Sequence, residues 1–389
     1  MEKATNPKRR KESEVISNNF SKDSKIDFNN QSFYIGIDVH KKNWAVTIST
    51  SEIQIETRSM NPSAEGLNNY VTKKYPGGRY YSVYEAGFCG FWIHRELEAG
   101  GIINKVVNPA DVPTRYNERT KKTDVVDSRK LSRELSKGES LKGIYVPGEK
   151  EEALRGLSRQ RKQLSKEQAR VKNRIKSSLM FMGVEFPENY QLQHWSRNFI
   201  NHLRNREYKR EEQKTTIEGY LSLLEEIRKI QAEQTKKLRN LLNEDEKSKE
   251  IIGYLQSVPG IGITTAITLY TEIMDIERFG NFNKLVSYVG FAPATSSSGE
   301  KERVVGLSKQ QNRFLRNLVI EAAWIAVKKD PALMMSFGEY CRRMSKQQAI
   351  IKIAKRLLSR IMYVWRNKTN YVNGVVGQQK KEDNNNKQQ

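Results

Sequence analysis

The chain has 389 residues, with 68 Lys or Arg against 45 Asp or Glu, which gives a formal net charge of +23. A positive excess of this size favours a polyanionic partner, and the length predicts two or three domains. The polar N-terminus lacks the apolar segment of a signal peptide, and no stretch approaches the ~20 apolar residues of a membrane span. Only Cys89 and Cys341 are present, without a Cys-x-x-Cys pair, which excludes a disulfide framework and a zinc ribbon. These features predict a soluble, intracellular protein that handles nucleic acid.

Residues 1–31 are poor in hydrophobic residues and predict a disordered basic tail. From residue 32 to 146, short apolar runs alternate with amphipathic segments, which predicts an α/β domain on a mixed sheet. The predicted strands are Phe33–Val39, Trp44–Ser49, Ile53–Arg58, Tyr80–Glu85 and Asn104–Asn108. The predicted helices are Ala64–Lys74, capped by Ser63, then Phe91–Ala99 and Lys121–Ser136.

Residues 147–250 are strongly charged and almost wholly helical in pattern. Apolar residues recur at heptad-like spacings in two long segments, which predicts a coiled-coil region, either an antiparallel hairpin or a dimerisation arm. Between Arg155 and Lys176 there are nine Lys or Arg and one Glu. Such a face is either solvated or in contact with phosphates. For the second interpretation, the candidate contacts are Arg161, Lys162, Arg170 and Arg174.

Residues 251–372 regain apolar content and predict a mainly helical C-terminal domain, followed by a disordered tail rich in Asn, Gln and Lys over 373–389. Near its start, "SVPGIGITTA" places Gly260 and Gly262 ahead of a helix. Glycines there let backbone N–H groups approach a phosphate, as in a helix-hairpin-helix. The alternative is an ordinary packing corner between two helices.

Two predicted strands end on acids, Asp38 after "YIGI" and Glu85 after "YSVY". Because sites in open α/β sheets form at the carboxyl ends of strands, these acids can face one crevice. In "KTDVVDSRKL", Asp124 and Asp127 share one helix face at i and i+3, where like charges repel each other. A divalent cation offsets this repulsion, and oxygen ligands from separate elements suit Mg²⁺.

Taken singly, each acid also fits a turn, a cap or an exposed helix face. Taken together, their order in a basic chain is the order of RuvC-like, RNase H-type nuclease folds, and we interpret them as metal ligands for phosphoryl transfer. His40 is a further candidate ligand, but a lone His beside two lysines is interpreted as a turn residue.

The Ser-rich stretch "PATSSSGEKERVVG", residues 293–306, is predicted to form a loop. A helix with Arg313 and Arg316 at i and i+3 follows it. Such loops are usually just flexible. However, an exposed hydroxyl beside cations such as Lys301 and Arg303 is also what a phosphoryl-transfer nucleophile needs.

The order of the motifs "YIGIDVHK", "YEAG", "KTDVVDSRKL", "SVPGIGITTA" and "YVGFAPATSSSGEK" resembles that of the DEDD transposases of bacterial insertion-sequence family one-ten. The resemblance covers residues 33–370 and implies a RuvC-like domain, a coiled-coil linker and a mainly helical transposase domain with a helix-hairpin-helix. The family's acidic tetrad matches Asp38, Glu85, Asp124 and Asp127. Its catalytic serine precedes a glycine and matches Ser298 rather than Ser296 or Ser297. The family's Gly-Leu-x-Pro motif reads Gly-Phe-Ala-Pro here, a small departure.

The resemblance also implies an activity: a DNA transposase that cuts and rejoins DNA through a phosphoserine intermediate, similar in mechanism to serine recombinases. The tetrad would bind Mg²⁺ or Mn²⁺ and complete a composite site across subunits. The implied partners are donor and target DNA, a structured bridge RNA encoded by the element, and further copies of the chain, as a dimer assembling to a tetramer. The implied location is the bacterial cytoplasm, at the nucleoid, with no membrane association.

Two other functions stay open. A junction-resolving nuclease would use the acids and metals with water as the nucleophile, and Ser298 would then be dispensable. A non-catalytic RNA- or DNA-binding protein would keep the site idle, and the complete acidic tetrad counts against it. A covalent protein–DNA adduct separates the recombinase from the nuclease.

Overall fold

The computed structural model describes residues 28–115, 123–138, 141–184, 195–298, 301–307 and 312–373, with the backbone alone given for 294–298 and 301–307. Nearly all of the two tails predicted to be disordered lies outside the described residues. The chain divides into two compact units, Met1–Val146 and Pro147–Gln389. None of the helices in the described ranges is long and apolar enough to cross a membrane.

The first unit is built on a five-stranded sheet in the order β3-β2-β1-β4-β5. The strands are β1 (Ser32–Val39), β2 (Trp44–Ser49), β3 (Gln54–Met60), β4 (Arg79–Glu85) and β5 (Ile103–Val107). β1 pairs antiparallel with β2 and parallel with β4, and β4 pairs parallel with β5. The antiparallel meander and the parallel half therefore share β1, which confirms the predicted mixed sheet.

Two crossover helices, α1 (Ala64–Lys74) and α2 (Trp92–Ala99), connect the parallel strands. The Ser63 hydroxyl accepts a hydrogen bond from the Gly66 N–H at 2.9 Å, which confirms the predicted cap of α1. Apolar side chains of β1 and β2 alternate with a period of two, so that Ile35, Ile37 and Val46 belong to the same buried core as these helices. The intervening residues of both strands point to the opposite face.

That opposite face packs against α3 (Asp124–Ser136), whose Leu131 and Leu135 form a smaller core with Val83 and Val107. At the other end of the sheet, the Phe28 ring contacts the rings of Phe33 and Tyr75, with centroids 5.6 Å apart in each case. The fold of this unit therefore begins within the last residues of the segment predicted as a tail.

The second unit is mainly helical. Its helices are α4 (Glu149–Phe181), α5 (Arg197–Asn205), α6 (Glu211–Asn243), α7 (Glu246–Ser257), α8 (Ile263–Ile273), α9 (Phe282–Val289), α10 (Arg313–Lys329), α11 (Pro331–Cys341) and α12 (Lys346–Asn367). The long helices α4 and α6 run antiparallel, since Arg161 contacts Thr235 and Ser165 contacts Gln231. We call this pair the helical arm. Whether its packing is that of a coiled coil stays a prediction.

The two ends of the helical arm belong to different cores. At one end, Leu154, Leu238 and Leu242 join the large core formed by α7 to α12. At the other end, Val171 and Ile175 of α4 and their neighbours pack with α5 and with the start of α6. The arm therefore starts inside the C-terminal core and ends in a small core of its own.

The described part of the stretch 293–306, predicted as a loop, forms two paired strands, β6 (Pro293–Ser298) and β7 (Lys301–Leu307), which we call the hairpin. The strands pair antiparallel, with Ser298 opposite Lys301. The prediction of a loop was wrong because serine and glycine favour turns locally, whereas the ladder depends on pairing with the following segment.

Candidate active site

The helix α3 packs unusually close to strand β1, and Gly36 makes this possible. A Cβ atom added at Gly36 would lie 2.1 Å from the Ser128 carbonyl oxygen and 2.4 Å from the Ser132 nitrogen. Both are backbone atoms, so only glycine permits this approach. Gly36 lies two residues before Asp38, on the same face of the strand, so the contact brings the start of α3 close to the end of β1.

Hydrogen bonds between hydroxyls fix the helix on the sheet. Thr47 contacts Ser128 at 2.9 Å, and Ser49 contacts Ser132 at 2.7 Å, both between hydroxyl oxygens that are buried. The Ser132 hydroxyl also donates to the Tyr34 carbonyl at 2.8 Å. Since buried hydroxyls without partners are costly, these pairs favour one register of α3 along β1 and β2.

Asp38 and Glu85 lie side by side at the carboxyl end of the sheet. The neighbouring parallel strands pair Ile37 with Tyr84, and each acid is the next residue of its strand. Both carboxylates are partly exposed, Asp38 at 22% and Glu85 at 31% of the side chain. The structure thus brings together the two strand-end acids, as expected for a site at this edge.

Asp124 and Asp127 lie in the first turn of α3. Thr123 caps the helix, with its hydroxyl accepting from the Val126 N–H at 3.4 Å. Negative charge is favoured at a helix N-terminus by the exposed N–H groups and the helix dipole. Their place at the N-terminus of α3 therefore offsets part of the repulsion between the two acids. The i, i+3 spacing alone does not show this contribution.

His40 joins the two halves of this acidic edge. Its Nε2 lies 3.0 Å from Asp38 Oδ2 and 3.4 Å from Asp124 Oδ1. Beyond its place between β1 and β2, His40 thus contacts two of the four acids. The contact with Asp124 links residues that lie far apart in the sequence, and local spacing carries no signal for it.

Burial is the largest influence on the Asp38 carboxyl and raises its pKa above the ordinary value of 3.8. The His40 ring opposes this shift, while the negative charges of Asp127 and Asp124 add to it. The net pKa of Asp38 is raised, so the folded protein stabilises the ionised carboxylate less well than water does.

Lys130 contacts the other half of the tetrad and was missed from the sequence. Its Nζ lies 3.1 Å from Glu85 Oε1 and 3.3 Å from Asp127 Oδ1, and only 8% of its side chain is exposed. Burial opposes the charge of Lys130, but the two carboxylates outweigh it and raise its pKa. The i, i+3 spacing from Asp127 was the available signal, since it places both side chains on one helix face.

The donor set at Asp38, His40 and Asp124 fits a divalent cation. One ligand atom from each side chain lies within 4.8 Å of the other two, and no other set of three such side chains meets this closely within the part of the chain that the structure describes. His40 Nε2 and Asp38 Oδ2 form a hydrogen bond of 3.0 Å, which is also about the spacing of adjacent ligands that lie about 2.1 Å from an octahedral ion. Carboxylates suit Mg²⁺ and Mn²⁺, and imidazole is a common ligand of transition metals.

Gly260 and Gly262 lie between α7 and α8, and their surroundings differ. Gly260 has a positive φ of 86°, and a Cβ there would lie 2.3 Å from the Ala322 carbonyl oxygen of α10. The packing corner therefore accounts for Gly260. Gly262 starts α8 and has open space around its Cα, so a phosphate contact at this position stays a prediction.

The four cations proposed on α4 also divide into two pairs. Arg161 is half-buried, with its Nε donating to Thr235 at 2.7 Å, and Lys162 lies 5.8 Å from the centre of the Phe314 ring. In contrast, Arg170 and Arg174 are exposed and line one shallow groove of the helical arm. The first pair packs against other helices, whereas the second pair faces the groove, although Arg170 also pairs with Glu167 one turn away on the same helix.

Ser298 is the last residue of β6 and pairs with Lys301 of the opposite strand, which also carries Arg303. Residues 299 and 300 and the side chains of both strands lie outside the described part of the chain. Arg313 is exposed at the start of α10, and Arg316 lies one turn further along the same helix.

A buried carboxylate, Glu272, lies near the base of this hairpin and was also missed. Arg159 of the helical arm donates to both Glu272 oxygens, at 2.6 and 2.9 Å, and Asn312 donates at 2.9 Å. The Asn312 N–H also donates to the Tyr288 carbonyl at 3.0 Å, which closes the base of the segment that carries the hairpin. The arm, the core and the hairpin base therefore meet at one carboxylate.

Comparison with known proteins identifies the chain. A DEDD transposase profile of the IS110 type matches residues 35–183, and the Transposase IS116/IS110/IS902 family matches residues 253–338. A putative transposase, y4rJ of Sinorhizobium fredii, is 31% identical over 77% of this chain and 79% of its own length. The transposase for insertion sequence element IS1533 of Leptospira borgpetersenii is 24% identical over 64% of this chain and 71% of its own length. The transposase for IS1111A of Coxiella burnetii is 39% identical over 20% of this chain and 21% of its own length.

The mixed sheet, the acids at its edge and the mainly helical second unit are consistent with a RuvC-like DEDD transposase. The chain belongs to the IS110 family of insertion-sequence transposases. It is therefore a DNA-cutting and rejoining enzyme with DNA as its substrate. Transposases of the DEDD type are usually metal-dependent, and this chain carries an acidic cluster in the corresponding domain.

Proposed function

We propose that this transposase transfers DNA strands through a phosphoserine intermediate on Ser298, assisted by Mg²⁺ or Mn²⁺ at the tetrad Asp38, Glu85, Asp124 and Asp127. The single observation that carries the metal site is the meeting of Asp38, His40 and Asp124 within 4.8 Å. A divalent cation bound there would polarise a phosphate oxygen and stabilise charge on the leaving oxygen.

The serine is proposed on the motif register and on its surroundings in the chain. In the proposed step, the Ser298 oxygen attacks a phosphodiester phosphorus and loses its proton to water, and one deoxyribose oxygen leaves as a hydroxyl group. Attack of a deoxyribose hydroxyl from another strand reverses the step and frees the serine. Lys301, Arg303 and Arg313 are close in sequence and can neutralise the charge that develops on the phosphate.

The proposed partners are donor DNA, target DNA and a structured bridge RNA, bound by a dimer that assembles into a tetramer. The support is electrostatic: the net charge is +23, and the exposed Arg170 and Arg174 form a basic groove on the helical arm. Sequencing the nucleic acid that co-purifies with the protein tests the RNA. A defined RNA encoded beside the transposase gene is the expected result, and random cellular RNA would contradict the bridge RNA.

Asp124→Asn tests the metal site. Recombination should be lost while the fold is retained, because the change removes a ligand and also relieves repulsion among the acids. Without Mg²⁺ the variant should melt at the same temperature as wild type or higher, and added Mg²⁺ should raise the wild-type Tm by mass action. Full recombination by Asp124→Asn would rule out the site.

Ser298→Ala tests the nucleophile, and Ser297→Ala is its matched control. Ser298→Ala should bind nucleic acid as wild type does, yet give no strand exchange and no DNA-linked protein on a denaturing gel. Ser297→Ala should remain active and form the adduct. If Ser298→Ala still cuts DNA while Asp38→Asn does not, water is the nucleophile and the enzyme follows the nuclease mechanism.

A further inference from the structure

A groove in the first unit runs between α3 and the turn that joins β2 to β3, with a volume of about 610 Å³. We call it the α3 groove. Four cations line it, namely Arg115, Arg129, Arg133 and Lys137. Arg129 lies two residues after Asp127, about 200° around the helix, so the groove is on the opposite flank of α3 from this acid. The candidate active site therefore uses none of these cations.

Arg129, Arg133 and Lys137 recur every four residues and form one row along α3 and its C-cap. Like charges at this spacing destabilise a helix. Arg129 is exposed, and in the described part of the chain its Nε donates to the uncharged Thr57 hydroxyl at 3.3 Å. The contact with Thr57 does not neutralise Arg129, so the row carries a charge that an anion in the groove would offset.

Glu134 orients two of these cations from behind the groove. Its carboxylate is almost fully buried, and its Oε1 lies 3.0 Å from Arg133 Nε and 2.8 Å from Lys137 Nζ. Glu52 adds a second acid at the groove wall. The four cations still outnumber these two acids, so the α3 groove favours an anionic ligand.

The other wall of the groove is the turn between β2 and β3, which contributes the hydroxyls of Thr50 and Ser51. Beside them, Ile53 is an apolar side chain that is 64% exposed. Cations and hydroxyls are the groups with which proteins contact the phosphates and sugars of nucleic acids. An exposed aliphatic side chain also offers a surface to the apolar side of a deoxyribose. This lining fits a sugar–phosphate backbone.

The α3 groove and the acidic edge share one helix. Without a bound metal ion the four acids repel phosphates, so DNA that reaches them must be attracted by cations nearby. Arg129 lies five residues after Asp124, which is about 8 Å along the helix axis. The helix therefore holds these cations at a short, fixed distance from the acids.

We propose that the α3 groove binds the phosphodiester backbone of substrate DNA beside the acidic edge. The guanidinium groups of Arg129 and Arg133 donate to phosphate oxygens, and the Lys137 ammonium adds a further positive charge. DNA is the occupant because it is the substrate of the transposase family to which the chain belongs. The proposal goes beyond the proposed function, since it needs neither a metal ion nor Ser298.

Binding of a random-sequence duplex DNA to the full-length protein, measured by fluorescence anisotropy with EDTA present, tests the groove. Arg129→Gln with Lys137→Gln removes two cations and leaves Arg133 to pair with the buried Glu134. The affinity should fall at least about fivefold, because two contacts with phosphates are lost.

Lys73→Gln with Lys142→Gln is the matched control. Both lysines are exposed in the same unit, Lys73 on α1 and Lys142 beside Gly143, which pairs with Val107 of β5. The loss of net charge is the same, but no groove contact is removed, so the affinity should fall less than about twofold.

A label at the groove keeps the test decisive if the double variant does not fold. Ser51→Cys places a photoreactive group on the turn between β2 and β3 and changes no cation. It should cross-link to the same duplex on irradiation, whereas Lys73→Cys with the same group should not. Labelled wild type measures the background from Cys89 and Cys341.

Equal weakening by the two double variants, or cross-linking from Ser51→Cys no stronger than the wild-type background, would overturn the proposal. Weakened binding and cross-linking with RNA of the same sequence, but not with DNA, would show that the groove holds RNA and would overturn the assignment to DNA. Recombination that survives Ser298→Ala or Asp124→Asn would instead contradict the proposed function and leave the α3 groove unaffected.

Discussion

At the scale of single residues, charges inside this protein are held by specific partners. Asp330 is fully buried and caps α11, accepting from the Leu333 N–H at 2.8 Å. It also accepts from Arg360 of α12 at 2.9 Å and from the Tyr371 hydroxyl. One carboxylate thus connects two helices to the segment that follows them. Losing its charge should therefore destabilise this part of the core.

Asp330→Asn should lower the free energy of unfolding at pH 7 by about 2 kcal/mol, the usual scale for hydrogen bonds to a charged group. Burial alone would raise the pKa of Asp330, but Tyr371, the Leu333 N–H and Arg360 outweigh it and hold the pKa below the ordinary 3.8. The stabilisation is therefore present above pH 3.8 and is lost as the pH falls through the lower, folded-state pKa.

Urea denaturation from pH 7 downwards checks this expectation. The difference between wild type and Asp330→Asn should stay constant to about pH 5 and shrink only below the ordinary carboxyl pKa. Glu52→Gln is the control at an exposed acid and should change stability by less than about 0.5 kcal/mol at every pH. A difference that grows on acidification would show the wrong sign and contradict the assignment.

At the scale of elements, the acidic edge depends on how closely α3 packs on β1. The contact involves no acid, because Gly36 meets the helix backbone at Ser128 and Ser132. The acids Asp124 and Asp127 are carried on the first turn of the same helix. The geometry of the candidate site is therefore set by a glycine that touches none of its side chains.

Gly36→Ala should destabilise the protein by about 3 kcal/mol, since the added Cβ meets backbone atoms and α3 must move away. Mn²⁺ affinity should fall at least tenfold, although no proposed ligand is changed. Gly253→Ala in α7 is the matched control, because nothing lies within 4 Å of its Cβ and it should stabilise by about 0.5 kcal/mol. If Gly36→Ala melts at the same temperature as wild type, the packing argument is contradicted.

A second element-scale contact joins the helical arm to the hairpin base through Glu272. Glu272→Gln should cost about 2 kcal/mol, because it removes the charged acceptor of Arg159 in a fully buried position. Glu167→Gln also breaks an ion pair, with Arg170, but on the surface, and should cost less than about 0.5 kcal/mol. Thermal melts of both variants provide the comparison, and equal effects would show that Glu272 contributes no more than a surface pair.

At the scale of the whole molecule, the chain combines an acidic edge in one unit with a strongly basic composition overall. The net charge of +23 favours binding to a nucleic-acid backbone by release of counterions. On the described part of the helical arm, Arg170 and Arg174 lie side by side and exposed. The net charge of the whole chain thus attracts nucleic acid over long distances, whereas single side chains such as Arg170 and Arg174 would make the contacts with individual phosphates.

The double variant Arg170→Gln, Arg174→Gln should bind duplex DNA more weakly, and the slope of log K against log salt should flatten by about 2, near 0.9 for each phosphate that is no longer neutralised. Titrations between about 50 and 200 mM salt measure this slope. Lys73→Gln with Lys249→Gln removes two exposed cations elsewhere and should leave the slope nearly unchanged. If both double variants flatten the slope equally, the salt dependence follows from net charge alone and not from Arg170 and Arg174.

The sequence by itself determined the features that depend on near neighbours. Alternation of apolar residues predicted the strands of the sheet to within about two residues, and Ser63 predicted the start of α1. Motif order predicted the transposase family before any contact was known. These signals are local because strand period and capping are properties of short segments.

Only the tertiary structure decided which distant residues meet. It placed His40 against Asp124 and Lys130 against Glu85, paired the serine-rich stretch into a hairpin, and used Gly260 as a packing contact with α10. Each of these depends on the approach of segments far apart in the chain, set by the close packing of helix on strand and helix on helix. Side-chain chemistry limits what a residue can contact, but the burial of apolar faces decides which partner comes within reach.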